Sequence, residues 1–141
     1  MAASNLVSIK STIETRLRDE LNLAPVIPVV FQNIPYTPPA NKSWVQCLVN
    51  FGSSSYSTLG GASDSTNLLT GVVTINIFSS KGKGSGPNLV IGKRIRELYN
   101  RIIVSGVSFD PPVGPEPLNF SDAEGYFQTQ IRVTFDVYEA L

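Results

Sequence analysis

The residues of this 141-residue chain with the most chemical potential are one thiol, one glycine-rich basic loop and a pair of neighbouring carboxylates. Cys47 alternates with Val45 and Val49 on one side of an apolar run, and the chain has no His to act as its base. A thiol so placed is a small buried hydrophobe sooner than a nucleophile. With no His and no second Cys, the sequence excludes an intrachain disulfide, a Cys/His zinc centre and any triad or dyad that works through imidazole. The loop KGKGSG, from Lys81 to Gly86, invites a phosphate-binding reading, because glycines expose backbone N–H groups and a helix N-terminus attracts anions. Its spacing fails: Pro87 stands where a P-loop needs its first Gly, Arg94 follows Lys93 where Ser or Thr is required, and a dinucleotide fingerprint begun at Gly82 or Gly84 lacks its third glycine. Asp122 and Glu124 lie on a loop where carboxylates are solvated and of ordinary acidity, so they make no acid/base pair. Trp44, Tyr36 and Tyr56 could stack on a base or sugar, but a Trp opening a strand more often plugs a core. No catalytic group, metal site or cofactor is expected.

Charge is scarce but unevenly placed. Charged residues make up 16% of the chain, below the usual quarter, and eleven basic residues balance eleven acidic ones. Residues 81–101 hold Lys81, Lys83, Lys93, Arg94, Arg96 and Arg101 against Glu97, a local balance of +5. Residues 102–141 hold Arg132 against Asp110, Glu116, Asp122, Glu124, Asp136 and Glu139, a balance of −5. A solvated helix with local pairs accounts for part of this. The alternatives are a head-to-tail contact between copies, in which a positive side meets a negative one, and a basic face touching nucleic acid. The absence of net positive charge weighs against the last.

The elements that must position these residues follow from periodicity. Leu6, Ile9, Ile13 and Leu17 predict an amphipathic helix over about residues 5–22, capped by Ser4 and ended by Pro25. Val26 to Gln32 reads as extended, and Pro28 consigns it to an edge or bulge. Trp44 to Phe51 alternates as a strand, with Gln46 and Asn50 opposite the apolar positions. Gly52 to Leu69 reads as a long polar loop. Gly71 to Phe78 is a strand with Val73, Ile75 and Ile77 on one side and Thr74 and Asn76 on the other, and a flexible loop follows. Ile91, Ile95, Leu98, Tyr99 and Ile102 predict a second helix over about 88–104, and Asp110 to Gly125 reads as a proline-rich loop. The closing strand turns Phe127, Ile131, Val133, Phe135 and Val137 to one side and Gln128, Gln130, Arg132, Thr134 and Asp136 to the other. At about 3.3 Å per residue it reaches roughly 40 Å, long enough to project from a small body. The expected fold is a single α+β domain over residues 1–141, a largely antiparallel sheet packed against two helices. The N-terminus reads as a helix and not a signal peptide, and no membrane span is expected, so the expected compartment is the reducing cytoplasm.

The N-terminal helix, PVVFQNIPYTPPANKSWVQCLVNF, GVVTINIFSSKGKGSGPNLVIGKRIRELYNRI and the closing FQTQIRVTFDV together resemble the tail terminator proteins of long-tailed bacteriophages. The most suggestive stretch is IFSSKGKGSGPNLVIGKRIRELYN, which is similar to that family's strand, glycine-containing loop and long helix. The resemblance implies a non-catalytic homo-oligomer, a ring of six subunits on the end of the tail tube, which stops tube growth and offers a docking surface to the head connector. It implies tail tube and neck proteins as partners, passage of double-stranded DNA without specific binding, and a place at the head-proximal end of the virion tail after assembly in the host cytoplasm. Lys81 to Pro87, Ser53 to Leu69 and the flanking strand ends become candidate contacts. Lys81, Lys83, Gly84, Lys93, Arg94, Arg101, Asp122 and Glu124 are the candidate interaction residues. Reversing Arg94 and Arg101 to Glu should weaken the ring if their flank meets an acidic neighbour. A head-closure or head–tail joining protein and a small nucleic-acid-binding module are the alternatives.

Overall fold

Helix α1, Leu6–Leu21, begins at Asn5, whose Oδ1 accepts the backbone N–H groups of Val7 at 3.0 Å and Ser8 at 3.2 Å. The cap thus falls on Asn5 instead of the expected Ser4. The computed structural model describes residues 5–34, 37, 42–56, 66–82, 84–118 and 125–140, which leaves Ser4 outside the described residues. Ile9, Ile13, Leu17 and Leu21 form the buried stripe, while Leu6 stays exposed at the helix start. No described helix is long and apolar enough to cross a membrane.

The sheet is built on three long strands: β2 (Trp44–Tyr56), β3 (Thr66–Ser80) and β7 (Tyr126–Ala140). β1 (Val29–Phe31) runs parallel to β2 at one edge, three residues after Val26 and directly after Pro28, so the proline occupies the edge position expected of it. The other pairings are antiparallel, which gives a single α+β domain with a curled, mixed and mostly antiparallel sheet. On the far side of β7 lie β5 (Val107–Phe109), its hairpin partner β4 (Ile103–Val104), and β6 (Val113–Pro117).

The structure corrects several boundaries. The stretch 52–69 read as a loop, yet 52–56 and 66–69 continue the ladder, because a ladder once registered across β2, β3 and β7 supplies backbone bonds whatever the local propensity. A bulge between Phe51 and Ser54 sets the two residues Gly52 and Ser53 against Thr70, whose Oγ1 donates to the Ser53 carbonyl at 3.1 Å. β7 is correspondingly longer than expected, 15 residues or about 50 Å. Helix α2 spans Gly86–Tyr99 and not 88–104. Arg101 turns the chain out of the helix at φ +54°, and the Ile102 carbonyl accepts the Phe109 N–H at 2.8 Å to begin the β4–β5 hairpin. The proline-rich 110–125 read as loop but contains β6, whose prolines sit on a strand paired on one side only.

Both helices cover one face of the sheet. Val45, Cys47 and Val49 of β2, Val73, Ile75 and Ile77 of β3, and Ile131, Val133 and Phe135 of β7 form the core with the α1 stripe and with Ile91, Ile95 and Tyr99 of α2. Gly71 is required here: a Cβ would press into the Phe135 ring and stand 2.7 Å from the Asn50 carbonyl. The helices are antiparallel, since Ile13, Arg16 and Glu20 meet Tyr99, Leu98 and Arg94 in that order. Arg16 caps the end of α2, and Tyr99 holds the middle of α1. Arg16 Nε donates to the Leu98 carbonyl at 3.0 Å, and Tyr99 Oη donates to the Ile13 carbonyl at 2.7 Å.

Candidate functional site

The opposite face of the sheet carries the polar side of every long strand. Gln46, Asn76 and Gln130 stand in register, with Asn76 Nδ2 donating to Gln46 Oε1 at 3.1 Å and Gln130 Nε2 donating to Asn76 Oδ1 at 3.0 Å. This amide ladder ties three strands together without charge. Its members were visible in the sequence as polar positions of alternating strands, but their register was not. Beside it, Arg132 Nη2 and Glu116 Oε1 pair at 3.1 Å across β7 and β6. Toward one end, Trp44 stacks on Phe78 at 4.1 Å and meets Tyr126 edge-on, a small cluster completed by Val30. Trp44 therefore plugs a core, as expected, but the minor one on this outer face.

Toward the other end, the bulge at Gly52 leaves a depression of about 410 Å³ lined by Asn50, Thr70, Val72, Asp110, Thr134 and Asp136, among others. Thr134 Oγ1 donates to Asp110 Oδ2 at 2.6 Å. Asp136 is raised from the ordinary 3.8, first by partial burial and then by the neighbouring Asp110 charge. This pair is invisible in the sequence, because Asp110 and Asp136 come together only when β5 registers against β7.

The expected interaction residues separate into distinct environments. Lys81 and Gly84 are exposed in the loop before α2, with Gly84 at φ +72°. Lys93 projects from α2 and, among the described residues, reaches Glu97 alone, at 3.8 Å. Arg101 is exposed in the turn after α2 and no longer shares a helix flank with Arg94. Arg94 is turned inward, its side chain 16% exposed. It donates to the Glu20 carbonyl at 2.6 Å, the Pro25 carbonyl at 2.8 Å, the Leu23 carbonyl at 3.3 Å and Glu20 Oε1 at 3.3 Å, which fixes the end of α1. Arg96, which sequence reasoning counted only as charge, likewise donates to the Pro112 and Gly114 carbonyls and ties α2 to β6. Lys83, Asp122 and Glu124 lie outside the described residues.

Cys47 is buried, and desolvation, with the Glu14 charge adding, pushes its thiol up to about 12. It is inert at neutral pH. A cavity of about 650 Å³ beside α1, lined in part by Thr12, Arg16, Asp19 and Leu98, has no His or Cys among its described lining residues. Among the described residues no group of three or more His, Cys, Asp or Glu could hold a metal. What these surfaces offer is contact.

Comparisons with known proteins agree with that reading. A solved structure that is 22% identical in sequence superposes with a TM-score of 0.70 over 96% of this chain and 96% of its own, which establishes the fold. No curated protein is similar in sequence. The profile of one family, described as phage tail terminator protein, matches residues 8–135 and so takes in most of α1, all of α2, the amide ladder and all of the acidic depression but Asp136, and the chain belongs to that family.

Proposed function

We propose that the protein forms a ring on the end of the phage tail tube, stops its growth and presents a surface to the head connector. The family is structural and non-enzymatic, a component of the virion tail that interacts with the tail tube. The observation that carries the proposal is the family match over residues 8–135, which favours tail termination over head closure or nucleic-acid binding. The surface supports it: among the described residues one sheet face lacks a helical layer, and the exposed cations Lys81, Lys93 and Arg101 are left for contacts outside the subunit. The test is assembly in vitro. Tail tube protein polymerising with the purified chain should give tubes of bounded length, each with a ring at one end in negative-stain images. Tubes that grow equally long with and without the chain refute the proposal.

A further inference from the structure

Among the described residues, the sheet has helices on one face only. Across the middle of the other face, Leu48, Val72 and Thr74 are half-buried and Asn50, Arg132 and Thr134 exposed, so no described element lies over them. At the rim, Val113 and Tyr138 are exposed as well. Leu48, Val72, Val113 and Tyr138 leave apolar surface on this otherwise polar face, which a further layer would remove from water. The helical side of the same chain has a feature that could supply it. α2 turns Leu89 and Val90 to solvent, 51% and 63% exposed, on the ridge that also carries Lys93. The Lys93 side chain is 77% exposed and its 3.8 Å approach to Glu97 contributes next to nothing, so the ammonium is free for a better partner.

Charge complementarity selects the occupant. The bare face carries Asp110 and Asp136 in one depression, and among the described residues neither forms an ion pair; Arg132 is already matched by Glu116. An apolar ridge with a cation and a mixed face, where aliphatic positions lie beside two carboxylates, are complementary, and both belong to this chain on opposite sides of its sheet. We infer that the α2 ridge of one copy docks on the bare sheet face of the next, Leu89 and Val90 against its aliphatic positions and Lys93 into the Asp110–Asp136 depression. Unlike surfaces meeting in this way make a heterologous contact, which repeats around a closed ring. The inference rests on the ring reading and adds to it the two surfaces that meet.

The experiment is a charge-swap cycle followed by native mass spectrometry and sedimentation velocity from micromolar to millimolar chain. Lys93→Glu and Asp136→Lys each place like charges together and should weaken association at least about tenfold. The double variant should recover most of it. Both positions lie outside the core, and circular dichroism checks that each variant is folded. Single variants that associate as the wild type does, or a double variant weaker than either single, overturn the contact. A wild-type chain that stays monomeric throughout the range overturns it too. Tube capping by the same samples separates the two readings: capping that survives with unaltered association in the variants leaves the ring and removes this contact, whereas wild-type chain that fails to cap removes the function itself.

Discussion

Arg94 gives the sharpest test of how the chain is held together. Its guanidinium joins the end of α1 to α2 through three carbonyls and one carboxylate, at 2.6 to 3.3 Å, in a half-buried setting. Bonds that involve a charged partner contribute about 1.5–3 kcal/mol each when isolated, but four that share one group are not additive, and the Leu23 and Pro25 contacts are open to water that can replace them. Arg94→Ala should therefore cost about 2–3 kcal/mol, which for a domain of this size lowers the melting temperature by about 7–10 °C. Arg94→Lys keeps the charge and loses the planar fork, so it should recover less than half of the loss. The assay is thermal unfolding by circular dichroism, with hydrogen exchange at residues 22–28 as a local reporter. A melting temperature within about 1 °C of wild type for Arg94→Ala, or full recovery by Lys, refutes the clamp. The clamp also changes how Arg94→Glu must be read: combined with Arg101→Glu, it would weaken assembly by loosening the subunit, whether or not that flank meets a neighbour.

Three further outcomes follow from the packing. Gly71→Ala forces a methyl against the Phe135 ring and the Asn50 carbonyl, and should destabilise by about 1–3 kcal/mol, read as a shift in the urea midpoint without change of slope; an unchanged midpoint would mean that the ring moves aside at no cost. Cys47, buried and pushed up to about 12, should react with a thiol reagent only as fast as the fold opens, so that native labelling at the rate of a free peptide thiol contradicts its burial. Asp136 is raised from 3.8 by desolvation and by Asp110, the carboxylate facing it from the segment after β5, while β3 offers only Thr70 opposite. The folded state therefore binds this proton more tightly than the unfolded chain, and its contribution is lost as pH rises through the window just above 3.8. Asp136→Asn should melt higher than wild type at neutral pH and lose that advantage below the window; a lower melting temperature at neutral pH would show that the carboxylate is stabilising.

The helices and the three central strands were legible because their patterns are generated by burial. Ile9, Ile13, Leu17 and the alternation in Ile131, Val133 and Phe135 each report one apolar face. What stayed illegible was set by pairing at long sequence separation. Ser54 and Ser55 have little preference for a strand, and they become one because Leu69 and Leu68 stand opposite. The short β5 and β6 are defined by β7, which lies 30 residues downstream by the pairing of Val107 to Val137 and 19 by that of Val113 to Arg132, and β4 is defined in turn by β5. The same holds for the interaction residues. Local sequence shows that Arg94 and Lys93 are adjacent cations on a helix, but only the fold shows that one faces the α1 terminus and the other solvent.

That distinction bears on the charge division itself. Of the basic residues in 81–101, Arg94 and Arg96 are consumed by carbonyls inside the subunit, while Lys81, Lys93 and Arg101 remain on its surface. On the acidic side, among the described side chains, Glu116 is matched by Arg132, which leaves Asp110 and Asp136 together on the bare sheet face. The opposition that the sequence displays as two blocks thus survives folding in a smaller form, as separate surface features on different layers of one sheet. A symmetric dimer would pair one kind of surface with itself and leave these opposite charges unmatched, whereas a head-to-tail arrangement satisfies both in every subunit. The low overall charge fits the same geometry, because the few charges that remain exposed then act as register marks on largely neutral surfaces.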